Sequence, residues 1–121
     1  MADIQSKHGF LAKSLYVIYT WPVVPHDQVM AQMDKHLARQ IQLERDGIMF
    51  GAGPLFDPGS DRPAGGMIVV RAASFEEAEA IAQADPMHAS GVRAYKIQRW
   101  MLNEGSVTLT VNYSDQTMKL V

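Results

Sequence analysis

An α+β domain is what this sequence predicts: a four-stranded antiparallel sheet with two main helices on one face, followed by a C-terminal β extension. Three observations point there. Four short apolar segments have the length and turn punctuation of strands, and two others carry apolar residues at helical spacing. Their order along the chain is strand, helix, strand, strand, helix, strand. The chain has 121 residues, enough for one compact domain, since domains commonly run to about 100–150 residues.

Residues 1–13 read as a flexible lead-in. Ser14–Trp21 (SLYVIYTW) is the first strand. Its alternate faces are Leu15, Val17, Tyr19, Trp21 and Tyr16, Ile18, Thr20, both largely apolar or aromatic, which marks a central strand covered on both sides. Pro22 and Pro25 end it. Asp27 is the expected N-cap of a helix running to about Arg45. Met30, Met33, Leu37 and Ile41 form its apolar stripe, Val29 and Leu43 extend one edge, and His36 and Gln40 fall within that edge. Gly47 suits a left-handed C-terminal cap.

Ile48–Phe56 reads as a strand bent near Gly51–Pro54, Asp57–Ala64 as a loop, and Gly65–Ala73 as the returning strand. Ser74 with Glu77 three positions on is a capping-box pattern for a second helix from Phe75 to about Ala84, with Phe75, Ala78, Ile81 and Ala82 inward. Asp85-Pro86 starts a short turn, and Val92–Leu102 is the last core strand. This is the split βαβ order of a ferredoxin-like unit, expected over residues 14–102. Residues 103–121 form its β-hairpin extension: Ser106–Tyr113 alternates, and Thr117–Val121 is placed to return beside it.

Composition removes several function classes. The 11 Lys and Arg are balanced by 13 Asp and Glu, for a net charge of −2 without a basic cluster, so nucleic acid is not an expected partner. The absence of Cys excludes disulfides, thiolate metal sites and a Cys nucleophile, and fits the cytosol. The first residues lack the apolar core of a signal peptide. No apolar run approaches the roughly 18–20 residues of a membrane span, so no membrane association is expected.

His36 is the first candidate for chemistry, because imidazole exchanges protons at neutral pH; a half-buried His bonded to a backbone carbonyl is the plainer reading. Asp85 before Pro86 is placed as an N-cap, and the same carboxylate can also orient a histidine ring, since it has several acceptor sites. Gly51-Ala52-Gly53-Pro54 lacks the Gly-Lys-Ser/Thr and the following helix of a phosphate cradle, so a bent strand with closely approaching backbones is expected. Tyr16, Tyr19, Trp21, Tyr95 and Trp100 either line an aromatic-accepting pocket or belong to core and interface. His8, His26, His36 and His88 show no metal-ligand spacing. Asp85 and His88, three apart, could join His36 around a metal, a weak pattern, and no metal site is expected.

The helix stretch HLARQIQLERDG beginning at His36, GAGPLFD at Gly51–Asp57, the S-x-E-E-A of Ser74–Ala78, ADP at Ala84–Pro86 with Gly91 after it, and a closing strand with Trp100 together resemble the YCII-related family, over roughly Leu15–Leu102. The resemblance implies a dimeric α+β barrel and a paired His36 and Asp85 as catalytic residues in a cleft between helices and sheet. Gly53, Pro54 and Trp100 are the substrate-binding candidates. It further implies proton-transfer chemistry, of lyase or isomerase type, on small aromatic or lactone-like compounds without a cofactor. The chain departs from the family in carrying Met87 where an aromatic residue usually follows Asp-Pro, and in its extension Asn103–Val121.

A ferredoxin-like unit has helices on only one sheet face, so Val17, Ile68, Val70 and Trp100 cannot all be covered by them, and a homodimer stacking sheet on sheet is expected. Three functions compete: a small-molecule enzyme using His36 and Asp85, a ligand-binding or regulatory module in which they only hydrogen-bond a ligand, and a structural subunit. The first requires His36 within hydrogen-bond reach of Asp85 in a solvent-connected pocket, the second the pocket alone, the third neither.

Overall fold

The computed structural model describes residues 10–120, and the lead-in expected over residues 1–13 lies outside the described residues as far as residue 9. Residues 14–101 form one compact unit. The elements are β1 (Lys13–Pro22), α1 (His26–Met30), α2 (Met33–Arg45), β2 (Met49–Phe56), β3 (Pro63–Val70), α3 (Phe75–Gln83), α4 (Pro86–Ala89) and β4 (Arg93–Leu102). The strands lie in the order β2-β3-β1-β4 in an antiparallel sheet, the α+β arrangement the element order predicts. Tyr16 pairs with Val70, Ile18 with Ile68 and Thr20 with Gly66, which puts Tyr16, Ile18 and Thr20 on one face of β1.

That face carries the core. Tyr16, Ile18, Ile68 and Val70 pack against Ala78 and Ala82 of α3, whose short side chains let the helix lie close to the sheet. Local chemistry sets where α3 begins. The Ser74 hydroxyl accepts from the Glu77 N–H at 3.1 Å, and the Glu77 carboxylate reaches back to the Ala73 N–H at 3.0 Å. Phe75, expected inward, is 49% exposed; its ring still meets Tyr16 edge-on at a centroid distance of 5.0 Å. Arg39 on α2 donates to the Ile81 carbonyl at 3.1 Å and ties the two main helices together.

The first helical segment differs from expectation in three ways. It is interrupted at Ala31–Gln32, so α1 and α2 are separate. Asp27 is not its cap: Pro25 holds the N-cap position, its carbonyl accepts from the Gln28 N–H at 3.0 Å, and Asp27 sits in the first turn where a negative charge suits the helix dipole. Of the stripe Met30–Met33–Leu37–Ile41, Met33 packs against the core, whereas Leu37 and Ile41 are 50% and 49% exposed and Met30 is exposed as well. Val29 instead packs with Met87 and Val92, and Leu43 is the buried residue of α2. The stripe borders a cavity whose other wall is β2 and β3, with Ala52, Pro54 and Gly66 on the sheet face that carries the core.

The glycines also correct the reading of Gly51–Pro54. The bend is present as a register shift between Met49 and Gly51. A Cβ at Gly51 or Gly53, however, would meet nothing within 4 Å, so no backbone approaches there. The close approach is at Gly65, where a Cβ would stand 2.6 Å from the Thr20 carbonyl oxygen. Gly47 ends α2 with φ of +75°, as its placement predicts.

Residues 102–120, with 10–13, belong to a second compact unit. In it β5 (Leu109–Val111) pairs antiparallel with β6 (Met118–Leu120), shorter strands than the alternation suggests. Asp115 Oδ1 shapes the turn between them by accepting from the Thr117 N–H at 3.1 Å and the Thr117 hydroxyl at 2.8 Å.

Gly65→Ala is expected to destabilise the domain by about 1–3 kcal/mol, because backbone must move to admit the methyl. Gly51→Ala is expected to be neutral or slightly stabilising. Urea denaturation of the two variants beside the parent chain measures the difference.

Candidate active site

Asp85 is placed by the start of α4. It holds the N-cap position with Pro86 following, and its Oδ1 accepts from the Met87 N–H at 2.9 Å. His36, one turn into α2, brings its Nδ1 to 3.0 Å from Asp85 Oδ1 and 2.9 Å from Oδ2. An ionised carboxylate only accepts, so Nδ1–H is the donor, shared between the two oxygens. The Asp85 side chain is 4% exposed and that of His36 17%. Nε2 of His36 makes no hydrogen bond among the described residues, and His36 lines the cavity. The pair thus has a buried end at the carboxylate and a nitrogen available at the cavity wall.

Burial opposes ionisation of Asp85, but donation from His36 and the Met87 N–H, with the charges of His36 and His88, outweighs it and holds the carboxyl below its ordinary range. His88 behaves oppositely. Burial dominates and pushes its pKa down, helped by the charges of His36 and Arg93 and resisted by the Ala82 carbonyl and Asp85. Its Nδ1 donates to the Ala82 carbonyl at 2.7 Å. In the neutral ring Nε2 is then bare and accepts the Thr20 hydroxyl at 2.8 Å. With both nitrogens engaged, His88 is not directed at a metal shared with His36 and Asp85. Its ring lies 4.4 Å from that of Tyr95, whose hydroxyl donates to Glu79 at 2.6 Å.

The cavity holds about 770 Å³, enough for a small organic molecule. Its apolar wall includes Met33, Leu37, Ile41, Phe50 and Met87. Gly53 and Pro54 line it together with His36. Trp100 is not among the lining residues; it sits on β4, 38% exposed, with its ring edge-on to Phe50 at 6.1 Å. Three polar groups join His36 there without having been singled out for this place from the sequence: Thr20, the Gln40 amide, whose buried Oε1 has no partner among the described residues, and the Arg93 guanidinium. Gln40 was detectable, four residues after His36 on the same helix edge. Arg93 carries no such signal, because its arrival depends on where β4 lies in the sheet.

A ferredoxin-like α+β domain with a half-buried His–Asp pair beside a cavity defines a class of small-molecule-sized sites. The model of the YCII-related domain matches residues 13–101, and the chain belongs to that family. Among solved structures, the chain is similar to 5-chloro-2-hydroxyhydroquinone dehydrochlorinase from Burkholderia phenoliruptrix in complex with 2,5-dihydroxybenzoquinone, with 22% identity, a TM-score of 0.55 and coverage of 71% of this chain and 92% of that one. That likeness carries the fold. No curated protein matches the chain.

The unfolded chain binds a proton at His88 near its ordinary value of 6.5, whereas the folded chain does so only at lower pH. Stability therefore falls as pH drops below 6.5 and levels off below the depressed value. Asp85 adds stability that is present above 3.8 and lost as pH falls through its lowered pKa. Melting curves between about pH 7.5 and 5.5 should show a shallower pH dependence for His88→Gln than for the parent, the difference isolating His88 from other histidines.

Proposed function

We propose that the protein is a small-molecule enzyme in which His36 transfers protons as general base and acid, with Asp85 orienting its ring. The observation that carries this is the 2.9–3.0 Å contact from His36 Nδ1 to both Asp85 oxygens, made by a residue that lines the cavity and whose other ring nitrogen has no partner among the described residues. With Nδ1–H committed to the carboxylate, Nε2 is the nitrogen left to take a proton from a bound C–H or O–H acid. The carboxylate then faces an imidazolium and stabilises it. Returning that proton to another atom of the substrate completes an isomerisation. If a leaving group departs with the electron pair instead, the net reaction is an elimination. A lyase or isomerase reaction needing no cofactor fits these groups, and the dehydrochlorinase of the same fold is an example of elimination. The apolar wall supports a small aromatic or lactone-like substrate, with Gly53 and Pro54 beside it and Trp100 backing Phe50.

A panel of phenols and lactones incubated in deuterated water, followed by NMR for deuterium incorporation or product, tests the reading. For any active compound, His36→Ala is expected to lower kcat by about 10²–10⁴-fold while the chain stays folded, with a lower melting temperature because the buried Asp85 carboxylate loses its partner. Asp85→Asn should lower kcat as well, because an amide supports a charged ring less well. Asp85→Ala is the poorer probe, since it also removes a cap contributing about 0.5–2 kcal/mol. A folded His36→Ala variant with undiminished turnover would end the catalytic reading.

The working unit in this proposal is a homodimer. Trp21 and Trp100 are each 38% exposed and Phe50 is 42% exposed, aromatic surface that a second sheet would cover. Light scattering at micromolar concentration should give twice the chain mass of 13.4 kDa, and a monomer would contradict it.

A further inference from the structure

Arg93 is the first residue of β4, directly after Val92, which is buried against Val29 and Met87. The Val92 carbonyl accepts from the Val23 N–H at 3.0 Å, so the backbone leading into Arg93 is pinned. From there the side chain crosses over β1 to β3: a Cβ at Gly66 would lie 3.9 Å from Arg93 Nη1. Thr20 pairs with Gly66, and both line the cavity with Arg93.

The guanidinium is half-buried and makes neither an ion pair nor a side-chain hydrogen bond among the described residues; the ion pair present is His36–Asp85. Burial pulls its pKa down, opposed by the charge of Asp85, yet guanidinium stays protonated at any neutral pH. Asp85 lends it charge but no hydrogen bond; the donors on that carboxylate are His36 and the Met87 N–H. The one acidic side chain lining the cavity, Glu44, is exposed. A planar cation with its forked donors unused, at the edge of an apolar cavity, is complementary to a carboxylate.

We propose that Arg93 makes this cavity selective for a small apolar carboxylate, whose oxygens take the guanidinium's free N–H groups while its apolar body rests on the Leu37–Ile41 wall. The proposal rests on the cavity being the substrate site and adds the charge of the ligand to it. The Gln40 amide lines the same cavity and is the neutral polar side chain nearest along α2 to His36, four residues on. The division of labour is then charge recognition by Arg93 and proton transfer by His36.

Benzoate and benzamide, alike in shape and different in charge, are the probes. Calorimetry on the full chain at low salt is expected to show benzoate binding at least about tenfold tighter than benzamide, as for a charge-assisted pair of hydrogen bonds. Arg93→Gln should remove most of that preference and leave benzamide affinity unchanged, and Arg93→Lys should keep part of it. The Arg93 Nε–H resonance should shift on benzoate addition, and this reading on the parent protein does not depend on any variant folding. Equal affinity for the two probes, a preference that survives Arg93→Gln, or no binding of benzoate to the parent protein overturns the proposal. His36→Gln separates the two readings: it should keep the benzoate preference even though proton transfer is gone. Undiminished turnover in His36→Ala with an intact Arg93 effect would remove the proton-transfer reading alone.

Discussion

The Asp85 carboxylate is where the chain's local and long-range order meet. Oδ1 caps α4 through the Met87 N–H, and both oxygens receive the Nδ1–H of His36 from α2. One buried group therefore sets where a helix begins and fixes a ring on another helix. A carboxylate on a side chain 4% exposed must be ionised with partners or neutralised, since an unpaired buried charge costs several kcal/mol. Capping and pairing together meet that requirement, which is why the site and the fold share a residue.

The second histidine shows the same rule with the opposite sign. His88 is 7% exposed, and in its network the ring donates to one oxygen and accepts from another, which only the neutral form can do. Two histidines near one carboxylate thus differ in place. His36 keeps a nitrogen at the cavity, whereas His88 has both nitrogens bonded within the protein. Of the two, only His36 has a ring nitrogen without a partner among the described residues.

The cavity lies between the α2 stripe and strands β2 and β3. Ala52 pairs with Ile68 and Pro54 with Gly66, so short side chains stand on the core-bearing face of the sheet where they line it. Leu37 and Ile41 of the helix stripe are left half exposed on its helical side, a state that is costly in water for apolar groups. Gly65 belongs to a different requirement, the close passage of the Thr20 carbonyl.

Much of this was legible from residue order. Ser74 with Glu77, Asp85 with Pro86 and Gly47 are local signals, because caps and turns depend on neighbours in the chain. The strand–helix order restricts the topology to a split βαβ unit, and His36 and Asp85 stand out by residue type. Periodicity could not tell a core stripe from a cavity wall: Met33, Leu37 and Ile41 have the same spacing in either role, and what faces them comes from other strands. Nor could it foresee the break at Ala31–Gln32, which carries no Pro or Gly. Arg93 reaching past Thr20 and Gly66, and His88 turning to Thr20 across 68 positions of sequence, are decided only by the sheet register. Sequence alone determined the four strands, the two main helical stretches, their order and the residues able to carry charge or a proton. The tertiary structure decided which of those residues meet, because contact between distant segments depends on how whole elements pack.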